Sequence, residues 1–281
     1  MELKSKKSLI IILPITIGIV GALDFTYGRI DIFAKAPQEK EIVIEDSRDA
    51  TIIKDKLKLT RGKVKETIVF AEIIMDSPYY TDYTNNKKRI GSFKKGEKVE
   101  IIKDRSYKWY FVKSEEGKKG WVSKNCLSIP DDPETNKIHM TKEEIEKHVN
   151  EKGLESDTAY LIWVDIDRQL THVFLGEKGN WKLHRSILSS TGKNISPTIR
   201  GLFKIQERGE WFYSERLKSG AKYWVKFEGP YLFHSLPMDR KGNITDTTLG
   251  KRASAGCIRF SLEDSKWFYK YVKRNSTVFI N

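Results

Sequence analysis

Two residues of this 281-residue chain have the types that thiol acyl transfer needs. Cys257 lies in Ser254-Ala255-Gly256-Cys257-Ile258-Arg259, and His234 lies in Tyr231-Leu232-Phe233-His234-Ser235. A free cysteine, with a pKa of about 8.5, is mostly protonated at neutral pH, and the thiolate is the nucleophile. A neighbouring imidazole can accept the proton and hold the thiolate as an ion pair. Gly256 lets the backbone approach a substrate, so the N–H groups of Gly256 and Cys257 can bind an oxyanion. Taken alone, one cysteine and one histidine are weak evidence, since a lone buried cysteine is usually packing. Cys126 reads that way, as a small buried hydrophobe. His172 and His184 sit inside strand patterns and read as cross-strand or solvent-facing residues. Two distant cysteines make neither a disulfide framework nor a metal knuckle, and the five histidines lack ligand spacing, so no metal and no cofactor is expected.

The elements that must position this pair are mostly strands. Tyr231–Ser235 delivers His234 at its end. Beyond Cys257, Ser261 caps a helix reaching about Val272, which would support the catalytic loop from behind. Upstream, Tyr160–Asp165 is a strand to which Thr171–Leu175 pairs back, and Lys178-Gly179-Asn180 turns into Trp181–Ile187. Between Thr67 and residue 129 the pattern is again β, with short strands at Ile68–Ala71, Val99–Ile102, Trp109–Val112 and Trp121-Val122 separated by turn signals. That spacing argues for a small barrel. Between these β regions, Pro130-Asp131-Asp132-Pro133 is a break, and Thr141 with Glu144 forms a capping box opening a helix to about Asn150. This helix reads as a linker or clip.

At the other end, Lys4, Lys6 and Lys7 precede Ser8–Leu23, sixteen residues without a charge. A helix of that length spans about 24 Å, a little short of a ~30 Å hydrocarbon core. The lysines predict the N-terminus inside and the remainder outside. A cleaved signal peptide and an uncleaved anchor compete; with no good cleavage site at Gly21-Ala22-Leu23-Asp24, the anchor is favoured. Residues 24–66 are charged, without a long amphipathic period, and read as a stalk. The net charge of +13 suggests an anionic partner or simply a lysine-rich surface. Basic residues are scattered, with no aromatic-interleaved stripe, so nucleic acid is set aside.

Two resemblances organise these observations. Ile90-Gly91-x-Phe93-Lys94-Lys95-Gly96-x-Lys98-Val99, then Trp109-Tyr110-x-Val112, then Gly120-Trp121-Val122 resembles a bacterial SH3-like domain over 67–129. Such modules usually bind cell-wall peptides or polymers, which offers Tyr79, Tyr80, Trp109 and Trp121 as aromatic contacts, with Trp121 more readily read as core. The stretch 158–281 resembles the catalytic domain of the L,D-transpeptidases (the YkuD family). Its marks are Ser190-Thr191-Gly192-Lys193, Pro197-Thr198, Gly201-x-Phe203, Phe233-His234-Ser235, Leu249-Gly250 and Ser254-x-Gly256-Cys257-Ile258-Arg259, in the family's order.

The two resemblances imply a mainly β protein, with a YkuD-type β-sandwich catalytic domain (158–281) and an SH3-like barrel (67–129); the residue patterns add a linker with a short helix (130–157), a stalk (24–66), an N-terminal transmembrane helix or signal (8–23) and a cytoplasmic basic segment (1–7). The YkuD resemblance further implies a Cys257 thioester on a peptidoglycan stem tetrapeptide, released D-alanine, and a 3→3 cross-link made by a second stem's amine. His234 would be the general base. Gly256 and Cys257 would supply the oxyanion donors. Arg259, Ser254, Ser235 and Tyr223 would meet the substrate, Arg259 alternatively forming a structural salt bridge. Trp211, Phe212, Tyr213, Tyr223 and Trp224 would build a lid, some of them serving as core, and carbapenems could acylate the thiol. One departure stands out: the family usually has His where this chain has Ala255, which predicts a reactive Cys257 with a less depressed pKa. Stem peptides, wall polymer and membrane are the expected partners, in an extracellular, membrane-attached setting. Alternatives are an L,D-carboxypeptidase or other acceptor chemistry on the same acyl-enzyme, and a catalytically weakened wall-binding protein.

Overall fold

The computed structural model describes residues 63–281 and, ahead of them, two short strands, β1 (Ile10–Ile11) and β2 (Ile42–Val43), paired antiparallel. The expected membrane segment 8–23 and the stalk 24–66 otherwise fall almost wholly outside the described residues. Among those described, no helix is long and apolar enough to cross a membrane. Gly62–Asn281 forms one compact unit.

Its first part is the expected barrel. Strands β3 (Phe70–Ile73), β4 (Ser77–Tyr80), β5 (Arg89–Phe93), β6 (Lys98–Arg105), β7 (Trp109–Ser114), β8 (Lys119–Ser123) and β9 (Leu127–Ser128) join in the order β5-β4-β8-β7-β6-β3-β9. Strand alternation sends Tyr110 and Val112 of β7 inward with Ala71, Ile73, Phe93, Val99 and Val122. Trp121 is buried, as expected, yet it packs on the outer face against Tyr83 (4.7 Å) and Phe111 (5.5 Å), because its neighbour Val122 takes the inward position. Tyr79 stacks on Phe93 at 4.5 Å and packs against the core.

The second part is a sandwich. Its five-stranded sheet has the order β12-β11-β10-β18-β13, built from β10 (Tyr160–Asp165), β11 (Leu170–Leu175), β12 (Lys182–Leu188), β13 (Gly201–Lys204) and β18 (Thr277–Ile280). Its four-stranded sheet runs β14 (Arg208–Ser214), β15 (Ser219–Glu228), β16 (Tyr231–Ser235) and β17 (Ile258–Phe260). Ile162 and Val164 face the shared core with Val225, Phe227, Phe233 and Phe260, while Leu161 and Trp163 face the other way. A strand buried on both sides reads as a continuous apolar run, which is why Tyr160–Asp165 shows no alternation.

Two helices cover the sandwich. Helix α1 (Lys142–Glu151) begins with the capping box: the Glu144 amide donates to Thr141 Oγ1, and the Thr141 amide donates to Glu144. Ile145 and Val149 pack on Trp163, Phe174 and Trp181. The expected linker helix is therefore part of the sandwich's wall, held there by apolar burial on its inner face. Helix α2 (Leu262–Tyr271) starts at Ser261, which accepts from the Asp264 amide, and buries Phe268 against Phe233 and Phe260.

Barrel and sandwich are joined by polar contacts. Tyr110 donates its hydroxyl to the Ile195 carbonyl at 2.8 Å, Ser196 donates to Asp104, and Arg200 pairs with Glu100 at 2.7 Å.

Candidate active site

His234 sits on β16, and Cys257 lies immediately before β17. These strands pair in parallel with Phe233 opposite Ile258 and His234 opposite Arg259. One step back along that register puts Cys257 beside Leu232, on the strand face that His234 and Arg259 share. The pair separated by 23 positions in sequence is thus brought together by one strand pairing. Cys257 is half-buried, with Sγ 3.7 Å from the Pro230 carbonyl and the Leu232 amide directed at the sulfur.

The tautomer of His234 follows from its partner. Nδ1 lies 2.6 Å from the Ser235 carbonyl, which can only accept, so Nδ1 carries the hydrogen and Nε2 the basic lone pair. Phe212 meets the ring edge-on at 5.6 Å. Burial pulls the imidazole down to about 4; the Ser235 carbonyl opposes this and the Arg259 charge adds to it. Burial likewise pushes the thiol up to about 11, against the Leu232 amide and the charges of Arg259 and Arg216. The expected thiolate–imidazolium pair and lowered thiol pKa are therefore not the resting state. Desolvation penalises both charged forms and so favours the neutral pair.

The loop ahead of Cys257 is held from several sides. Gly256 has φ +100°, and a Cβ there would lie 2.6 Å from the Tyr231 ring, so only glycine fits. Its amide donates to Ser254 Oγ at 3.1 Å, which removes Gly256 from the expected oxyanion donors and leaves Cys257. Ser254 is buried, and its hydroxyl in turn donates to the Cys257 carbonyl. It closes the turn and is not exposed to substrate as expected. Ser235 is fully buried as well: it accepts from the Lys222 amide and donates to the Leu236 carbonyl, so it too positions backbone.

Arg259 takes the salt-bridge alternative, bonding Asp246 at 2.7 Å. Hydrogen bonds from Thr248 come first in holding the Asp246 carboxyl below the usual carboxylate range, and Arg259 contributes. Tyr223 is turned away from the expected contact. Its backbone is left-handed (φ 54°), which interrupts the alternation between Ala221, paired with Phe212 on the His234 side, and Val225 in the core. Its ring lies near Tyr269 of α2, tilted at 45° with centroids 5.8 Å apart. Of the proposed lid aromatics, Phe212 alone has a ring contact with His234. Trp211 packs over Gly220, Trp224 over Gly209, and Tyr213 lies under Arg240.

Several positioning residues carried no role in the sequence reading. Ser190 exchanges both backbone hydrogen bonds with Arg259, and the Thr191 carbonyl accepts from the amides of Ala253 and Ser254. Thr198 accepts from the Gly192 amide at 2.8 Å and donates to the Gly256 carbonyl at 2.8 Å. These residues appeared only as motif marks, since their work is backbone bracing across long separations. Among the described residues no group of His, Cys, Asp and Glu clusters as metal ligands would.

Comparison with known proteins agrees with this layout. Residues 159–280 match the L,D-transpeptidase catalytic domain family YkuD, and residues 84–128 match a bacterial SH3 domain family. YciB of Bacillus subtilis (strain 168), a protein assigned as an L,D-transpeptidase, is 35% identical over 130 residues, or 43% of this chain and 66% of that one. The chain thus spans just under two thirds of that relative's length. A Clostridium acetobutylicum ATCC 824 structure, described as a fused Zn-dependent amidase, peptidase and peptidoglycan-binding domain-containing protein, is 30% identical. It covers 50% of this chain and 59% of its own, with a TM-score of 0.43. An L,D-transpeptidase from Stackebrandtia nassauensis is 20% identical over 47% of this chain and 59% of its own, with a TM-score of 0.36. Through residues 159–280 the chain is similar to the YkuD family of L,D-transpeptidase catalytic domains, and through residues 84–128, ahead of it, to a bacterial SH3 domain family.

Proposed function

We propose that the protein is a peptidoglycan L,D-transpeptidase that forms 3→3 cross-links through a Cys257 acyl-enzyme. The observation that carries this reading is the β16–β17 pairing, which puts Cys257 on one strand face with a histidine whose Nε2 keeps the lone pair because the Ser235 carbonyl holds the Nδ1 hydrogen. As the sulfur attacks the carbonyl between the third and fourth residues of a stem tetrapeptide, His234 Nε2 takes the thiol proton. The Cys257 amide steadies the oxyanion. When the tetrahedral intermediate collapses, the imidazolium returns its proton to the departing D-alanine amine, leaving a thioester. The side-chain amine of a second stem's third residue then attacks, gives its proton to His234, and displaces the thiolate, which is reprotonated.

A neutral resting pair suits this sequence, because charge appears only when substrate is in place. The apolar segment 8–23 and the SH3 domain favour an exported, membrane-attached enzyme working in the wall. Incubating the protein with disaccharide-tetrapeptide and analysing the products by mass spectrometry tests the reading. A cross-linked dimer with free D-alanine is expected. Tripeptide alone would mean hydrolysis of the same acyl-enzyme, and unchanged substrate would leave a wall-binding protein.

A further inference from the structure

The turn joining β6 to β7 has an unusual backbone. Ser106 and Tyr107 are both left-handed (φ 57° and 59°), and the Lys108 amide closes the turn on the Arg105 carbonyl at 3.1 Å. This is the geometry of a two-residue hairpin turn that normally takes Asn-Gly, since most side chains are strained in this backbone region. Asp104 stabilises it. One carboxylate oxygen accepts from the Tyr107 amide at 2.9 Å, while the other accepts from Ser196 of the catalytic domain. The strained turn is thereby fastened across the domain boundary, with Tyr107 exposed.

What the turn faces is a cleft of about 520 Å³ against the tip of the β14–β15 hairpin. Tyr83, Tyr107 and Trp109 line it together with Arg105, Lys108 and Arg216, and the wall contains no carboxylate. Arg216 is exposed and has no ion-pair partner among the described residues. Three rings beside three cations without an ion pair among the described residues, Arg105 lying over the Tyr83 ring at 5.5 Å, complement an anionic chain with flat or apolar surface to stack. The cleft is also linked structurally to the nucleophile. Ile195 and Ser196 hold the barrel, and Thr198, two residues on, holds the Gly256 carbonyl next to Cys257. The Arg216 charge reaches both the Cys257 thiol and Tyr107.

We propose that this cleft is a substrate subsite in which the SH3 domain's Tyr107 and the hairpin's Arg216 bind a carboxylate-bearing peptide strand leading to Cys257. The assignment rests on the proposed function for the identity of that strand, a stem peptide. The SH3 domain is then a working wall of the active site, not only a tether to the polymer, and the strain at Ser106-Tyr107 serves to present the ring.

Calorimetric binding of disaccharide-tetrapeptide to the full chain carrying Cys257→Ser tests the subsite without turnover. Tyr107→Ala and Arg216→Ala should each weaken Kd about tenfold, the scale of one lost stacking or charge-assisted contact. Arg216→Lys should recover part of the loss. A tetrapeptide with amidated carboxylates should bind the parent protein as weakly as the free acid binds Arg216→Ala, and amidation should matter little once Arg216 is gone. Thermal melting confirms that each variant is folded. Unchanged Kd in the double variant, absence of measurable binding, or equal binding of the peptide-free disaccharide would each overturn the proposal. Product formation by the wild-type protein reads the proposed function separately, so a cross-linking enzyme whose variants bind normally would refute the subsite alone.

Discussion

At the scale of single residues, Cys257 and His234 are defined as much by their desolvation as by their proximity. A thiol pushed up to about 11 beside an imidazole pulled down to about 4 holds its proton at neutral pH. Cys257 reactivity toward a small alkylating agent such as iodoacetamide should therefore keep climbing between pH 7 and pH 10, by roughly tenfold per unit where the thiolate is the reacting species. A plateau reached below pH 7 would contradict the neutral pair and favour a preformed ion pair. His234→Ala should slow alkylation several-fold at pH 7, where the imidazole assists as a base, and superimposable profiles would contradict the pairing. Ala255 is half-buried and supplies no polar atom beside the thiol, leaving the Leu232 amide, Arg259 and Arg216 as the groups that favour the thiolate.

At the scale of elements, the site is a loop braced by backbone. Residues 190–193 run alongside 253–259, and Thr198 locks the two through Gly192 and Gly256. Thr198→Val keeps the shape but leaves a buried amide and a buried carbonyl without partners, which should cost about 2 kcal/mol or more of stability. If the Gly256 carbonyl sets the thiol's position, kcat should also fall about tenfold with KM less affected, consistent with lost orientation. Urea unfolding and steady-state kinetics check the two effects, and a variant with wild-type values for both would contradict the bracing role. Much of this layer was legible in the sequence. The capping box, the Ser261 cap and the strand runs are local signals, and Gly256 announces a backbone that no side chain tolerates. Ser254 and Ser235 were misjudged because their partners are backbone atoms that only the folded loop brings near. Tyr223 was misjudged because its left-handed backbone, invisible in residue type, reverses which face the strand presents.

At the scale of the whole molecule, packing has buried His172 and His234 and half-buried His148, which disfavours their charged forms. Burial is the first cause of the low pKa values of His148 (about 4), His172 (about 3) and His234 (about 4). His148 and His172 flank Trp163, each with a buried Nε2 that has no hydrogen-bond partner among the described residues. Because the folded-state values lie below the ordinary value of about 6.5, the unfolded chain binds more protons between roughly pH 6.5 and pH 4. Stability should be full above that window and fall as pH drops through it, with up to three protons taken up on unfolding. Urea melts at pH 7, 5.5 and 4.5 should show this slope, and His172→Asn should reduce it by about one proton; a flat profile would contradict the burial. The domain arrangement adds what no local pattern could show, since Asp104 and Ser196 meet across 92 positions to set the SH3 turn against the catalytic domain. The most direct measurement of the central claim is the intact mass of the protein mixed with disaccharide-tetrapeptide and quenched in acid. An adduct of substrate minus D-alanine, mapped to Cys257 and absent from Cys257→Ser, is the predicted result. An adduct on another residue, or one that survives Cys257→Ser, would contradict it.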